Sequence, residues 1–70
     1  MTLNDVLVDG KGVIIALEME DALARRMYGM GFVVGKTIEV IRRTKKTLHV
    51  RVGSTDYVIR DSNAKEIIIK

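Results

Sequence analysis

Seventy residues are enough for one domain and not two, and with no Cys and a single His the chain has no disulfide or Cys/His metal site to brace a thin core. Apolar residues make up 47% of it and Tyr28, Phe32 and Tyr57 are its only aromatics, so stability must come from packing Val, Ile, Leu and Met and from backbone hydrogen bonds. Lys and Arg outnumber Asp and Glu by 12 to 9, a net charge of +3 that favours an acidic protein face, nucleic acid or an anionic surface as partner.

Leu3, Val6 and Leu7 open the chain, and Asp9-Gly10-Lys11-Gly12 reads as a turn or bulge in which the paired glycines supply positive φ. Val13 to Leu17 is a nearly continuous β-branched run, expected to be a strand buried on both faces. The one good helix pattern runs from about 20 to 30. Leu23, Met27 and Met30 recur at i, i+4 and i+7, predicting a core-facing stripe. Asp21 is the expected N-cap, and Asp21 and Arg25 have the spacing of a helical ion pair. Gly31 is placed to end the helix with positive φ, with Phe32 folding back on Met27.

Thr37 to Arg43 and Leu48 to Val52 read as a hairpin around a polar connection, Thr44 to Thr47, with His49 and Arg51 facing out. Gly53-Ser54-Thr55 is a further turn. Asp56 to Arg60 is the next strand, with Tyr57 and Ile59 inward. Residues 61 to 65 form one helical turn, and Ile67 to Ile69 a last strand. Five short strands in an open sheet would leave exposed edges, so closure is expected. The fold class is mostly β: a small SH3-like β-barrel of about five strands with one helix, forming a single domain over residues 1 to 70.

Charge is unevenly spread. Lys36, Arg42, Arg43, Lys45, Lys46 and Arg51 cluster around the hairpin, and Glu18, Glu20 and Asp21 lie at the helix start. One His beside Arg51 is a poor centre for a transition metal, which needs several imidazole or carboxylate ligands, so no metal or cofactor is expected. Catalysis is not expected either. The chain lacks a Cys nucleophile, and Gly10-Lys11-Gly12 is too short for a phosphate loop. Basic small barrels also bind nucleic acid, usually with surface aromatics, and here only Tyr28 is a candidate for exposure. No run approaches the roughly 20 apolar residues of a membrane span, and the first twelve residues are too polar for a signal peptide, so a cytoplasmic location is expected.

The segment Arg25-Arg26-Met27-Tyr28-Gly29-Met30-Gly31-Phe32-Val33-Val34-Gly35 is the most specific feature. It resembles the signature of the FeoA family, small accessory proteins of bacterial ferrous iron transport: two adjacent basic residues, an apolar residue, then an apolar-Gly-apolar step and a second Gly. Leu3, Gly10, Gly12, the run Val40 to Arg43, Ile59-Arg60, Ala64 and the terminal isoleucines extend the match across the chain. Val34 stands where that family commonly has Pro, and Thr44 to Thr47 where its hairpin tip often has Gly and Pro, which predicts a more mobile tip.

The resemblance implies an SH3-like barrel that associates with the cytosolic, GTP-binding region of a FeoB-like ferrous iron transporter and modulates it. The expected contact residues are Arg25, Arg26 and Tyr28 at the helix end, with Arg42, Arg43, Lys45 and Lys46 on the hairpin. Self-association through a strand edge or the Met-bearing helix is compatible with the sequence. The alternatives are a nucleic-acid-binding barrel and a stand-alone SH3-like module related to those of metal-dependent repressors.

Overall fold

β-branched residues dominate five short segments, and each becomes a strand in the computed structural model, which describes residues 1–70. A 3-10 turn (Leu3–Asp5) precedes β1 (Lys11–Leu17), α1 (Asp21–Gly29), β2 (Thr37–Arg43), β3 (Thr47–Val52), β4 (Thr55–Arg60), α2 (Asp61–Ala64) and β5 (Ile67–Ile69). The strands form one antiparallel sheet in the order β4-β3-β2-β1-β5. Fourteen buried side chains make a single core cluster around Phe32, Leu3, Ile14, Ile38, Leu48 and Ile67.

The sheet curls but does not close: β4 and β5 are not paired, and α2 bridges the gap between them. The two edges are managed differently. Thr2 forms a bridge with Ile68, and the Ile69 N–H donates to the Met1 carbonyl at 2.8 Å, so the chain's first residues cover β5. No strand covers β4.

The register slips by one residue at Ile15 in β1 and at Ile41 in β2. Such bulges strengthen twist and let a five-stranded sheet wrap around its core. The bulge at Ile41 also separates Arg42, opposite His49, from Arg43, opposite the fully buried Leu48.

Several sequence expectations need correction. β1 is not buried on both faces. It alternates, with Ile14 fully buried while Val13 and Ile15 are 38% and 44% exposed, because the sheet has only one core face. Positive φ in the first turn falls on Asp9 (71°), not on the paired glycines. Gly12 is required for a different reason: a Cβ there would lie 2.0 Å from Ile69 Cγ2, where β5 crosses β1. The N-cap of α1 is Glu20 rather than Asp21, without a side-chain cap bond, and no Asp21–Arg25 ion pair forms. Of the apolar stripe on α1, Met27 is buried, Leu23 is partly buried, and Met30 remains 37% exposed.

The end of α1 follows the sequence reading. Gly31 N–H donates to the Tyr28 carbonyl and Phe32 N–H to the Met27 carbonyl, each at 3.0 Å, with Gly31 at φ 101°. This pair of bonds is a Schellman motif. It turns the chain so that Phe32 enters the core beside Met27. The Phe32 ring meets Tyr57 at a centroid distance of 5.2 Å and 55°, and Tyr57 Oη donates to the Met30 carbonyl, fastening α1 to β4.

Candidate functional site

Alternation on a strand sends every second side chain to solvent. On the outer face of the hairpin this aligns His49 and Arg51 of β3 with Val58 and Asp56 of β4, the cross-strand partners in the ladder. Asp56 is the hub. Arg51 Nε donates to Oδ1 at 2.7 Å and Nη2 to Oδ2 at 3.2 Å, while His49 Nε2 is hydrogen-bonded to Oδ2 at 2.8 Å. The Arg51 hydrogen bonds, then that of His49, hold the Asp56 carboxyl down at about 2, and Asp56 in turn raises the Arg51 guanidinium. His49 is thus committed to a carboxylate beside an Arg. No three His, Asp or Glu side chains gather anywhere in the chain in a way that could hold a metal ion.

The seven expected contact residues do not form one patch. On a helix each residue advances about 100°. That places Arg25 and Tyr28 on the flank of α1 opposite Leu23 and Met30, and Arg26 on the Met30 side. Arg26 lies in a groove of about 180 Å³ between α1 and β4, where Leu23 and Met30 face Val58, Ile59 and Arg60. Arg60 also lines an open basin of about 500 Å³ with Lys45, Lys46 and Asp61. Arg26, Arg60, Lys45 and Lys46 therefore border one continuous surface, and Arg25 and Tyr28 point away from it. Tyr28 is the most exposed aromatic, whereas Phe32 is fully buried.

Arg42 is exposed on the outer face beside His49. Arg43 is a structural tie. Its Nη1 donates to Asn4 Oδ1 at 2.7 Å and its Nη2 to the Val6 carbonyl at 2.8 Å. The two adjacent arginines look alike in the sequence, but the bulge at Ile41 gives them different roles.

The hairpin tip, expected to be mobile without Gly or Pro, has its own clamp. Thr44 Oγ1 accepts from the Thr47 N–H at 3.0 Å and the Lys46 N–H at 3.3 Å, and the two threonine hydroxyls are 2.7 Å apart. Hydroxyl-to-backbone bonds of this kind replace the rigidity that Gly and Pro give other turns. Lys45 and Lys46 are thus presented from an organised loop.

Sequence reasoning missed Arg60, Val58 and Met30. The signal for the first two was present, because an inward Tyr57 and Ile59 force Val58 and Arg60 outward. No helix of the structure is long and apolar enough to cross a membrane.

A family model described as FeoA domain matches residues 1–70. Among curated proteins nothing matches. Among solved structures, the chain is similar to FeoA of Stenotrophomonas maltophilia complexed with zinc, described as a procaryotic SH3 domain protein and a candidate ferrous iron transport activating factor. Identity is 29%, with 100% of this chain and 89% of that one covered, at a TM-score of 0.88. It is also similar to a FeoA-like protein from Clostridium acetobutylicum, at 25% identity, covering 100% and 84% of the two chains with a TM-score of 0.87. The FeoA protein of Chlorobium tepidum shares the fold at 21% identity, 99% and 68% coverage and a TM-score of 0.93. The five-stranded sheet is SH3-like, and the match of the family model over its full length shows that the chain belongs to the FeoA family.

Proposed function

We propose that this chain is a non-catalytic accessory of ferrous iron transport, acting in the cytoplasm by binding the GTP-binding region of a FeoB-like membrane transporter. Membership of the FeoA family along the whole chain is the observation that carries this reading. The description of the Stenotrophomonas relative as a candidate transport activating factor supports it. The chain's mode of action is to bind one conformation of its partner more tightly than another, which shifts the partner's equilibrium.

The contact is assigned to Arg26 with Lys45 and Lys46, joined by Arg60, and to Arg42 on the adjoining outer face. Arg25 and Tyr28 serve a second, separate contact on the far flank of α1. Arg43 contributes by holding the hairpin in place. Cations around a groove steer an acidic partner face and speed encounter, more so at low salt.

The test is calorimetric titration of the protein into the soluble domain of a FeoB-like transporter from the same organism, with and without guanine nucleotide. Saturable binding is expected. The charge reversals Lys45→Glu and Lys46→Glu together should weaken it by about tenfold or more. Unchanged affinity in that double variant would remove the hairpin from the contact. Absence of binding by the wild type, in heat and in co-elution, would overturn the adaptor reading itself.

A further inference from the structure

β4 is the only sheet edge left uncovered, and its exposed groups are arranged to accept another strand. Gly53-Ser54 is a two-residue turn between Val52 and Thr55. In such a hairpin the pair flanking the turn exchanges both hydrogen bonds, and bonded and non-bonded pairs then alternate along the ladder. Thr55, Tyr57 and Ile59 therefore bond inward to β3. The next bonded step is seen at Asp61, whose N–H donates to the Lys46 carbonyl at 2.8 Å. By the same alternation, the N–H and C=O of Val58 point to the open side. No turn, loop or cap bond in the chain uses either group. The Val58 side chain is 69% exposed.

The groove between α1 and β4 runs along that edge. Val58 and Ile59 point to opposite faces of the sheet, yet both border the groove, and only an edge is shared by two such neighbours. Its opposite wall is formed by α1 and its C-cap, with Leu23, Met27 and Met30 as the apolar part. The charged residues on its walls are Arg26 and Arg60, with no acid among them. Lys45 and Lys46 extend the positive rim past Arg60, and the one acid beside them, Asp61, is paired with Lys65 at 3.7 Å.

We infer that β4 and α1 together capture an extended acidic peptide segment, which adds as a sixth strand beside β4 and drops one apolar side chain toward Leu23 and Met30. Backbone pairing to Val58 supplies the affinity, and Arg26, Arg60 and Lys46 select carboxylates on either side of the apolar anchor. A second copy of this chain is disfavoured as the occupant, because α1 walls the edge and admits a single extended strand but not a whole sheet with its own helix. This deepens the accessory reading above, since it specifies what the partner's recognition segment looks like.

The test uses a synthetic blocked peptide, acetyl-Asp-Glu-Val-Leu-Val-Asp-Glu-amide, and its counterpart with Lys at every acidic position. Each is titrated into isotope-labelled protein and followed by amide chemical shifts. The acidic peptide should bind about tenfold or more tightly than the Lys peptide, with shifts concentrated at Tyr57 to Arg60 and along Leu23 to Met30. Val58→Pro removes the outward N–H without touching the β3 ladder, a substitution that edge strands accept. It should weaken the acidic peptide about tenfold, whereas Val58→Thr, which keeps the N–H, should not. Three results would overturn the inference: no shifts at about 1 mM peptide, shifts confined to Lys45 and Lys46, or equal binding by a folded Val58→Pro variant. Line broadening that depends on protein concentration without peptide would assign the edge to self-association instead. None of these outcomes involves the transporter, so a peptide that binds while the transporter domain does not would leave this inference standing and the accessory reading fallen.

Discussion

Arg43 and Asn4 are joined by a hydrogen bond of 2.7 Å across 39 positions of sequence, and the same guanidinium reaches the Val6 carbonyl at 2.8 Å. The end of β2 is thereby tied to the opening turn, whose Leu3 and Val6 are buried in the core. Arg43→Ala should cost about 1.5–2 kcal/mol, the low end of the range for hydrogen bonds involving a charged group, because the bond to Asn4 is exposed. In a domain of this size that lowers Tm by about 4–8 °C per kcal/mol. Arg42→Ala, with no such ties, should stay within about 0.5 kcal/mol of wild type. Urea denaturation of the two variants side by side checks this, and equal midpoints would mean that Arg43 is as dispensable as its neighbour.

Gly12 and Gly31 should fail for different reasons. Gly12→Ala pushes a methyl group into Ile69, and overpacking of that kind costs about 1–3 kcal/mol. Gly31→Ala meets no atom within 4 Å, so its cost is backbone strain at φ 101°, about 1–2 kcal/mol. Adding Ile69→Ala should relieve the first variant and leave the second unaffected. Thermal melts of the two double variants read the difference, and strictly additive losses at Gly12 and Ile69 would contradict the close approach.

Phe32 is fully buried where the Schellman turn meets β4. Phe32→Ala should cost about 3–5 kcal/mol. Small domains have only about 5–15 kcal/mol in all, so this variant should be close to unfolding at 37 °C. Tyr57→Phe keeps the ring contact and loses only the bond to the Met30 carbonyl, for about 1 kcal/mol. Near-ultraviolet dichroism and urea midpoints separate the two, and similar losses would place the weight on the hydroxyl rather than the rings.

The Asp56 carboxyl is held at about 2, chiefly by the Arg51 hydrogen bonds and then by His49. A carboxyl whose folded pKa is depressed adds stability above its unfolded value near 4, and that contribution disappears as pH falls through the folded value. Between about pH 4 and pH 2 the wild type should therefore lose stability more steeply than Asp56→Asn, and above about pH 5 the difference should be constant. The cluster is solvent-exposed, so the effect is modest and shrinks with added salt. Melting temperature against pH for both proteins is the measurement, and parallel curves below pH 4 would show that Asp56 titrates normally.

Much of the fold was legible because local chemistry and final structure agree. β-Branched runs at 37 to 43 and 67 to 69 became β2 and β5 with the expected bounds, and Gly31 ended α1 as its position required. Three of the misses share one cause. The exposure of Ile15 and Met30 and the separate fates of Arg42 and Arg43 depend on which surface another element covers, and periodicity carries no such information.

Composition alone determined that this chain packs an aliphatic core without disulfides, and the run from Arg25 to Gly35 carried its family. The tertiary structure decided what the charges do: a one-residue bulge at Ile41 sent Arg43 to Asn4 while leaving Arg42 in solvent, and the curl of the sheet brought Arg60 between Arg26 and Lys46. It also left β4 as the open edge. Side-chain chemistry is written residue by residue, but the direction in which a side chain or an unpaired N–H points is set by register and twist, which exist only once distant strands have met.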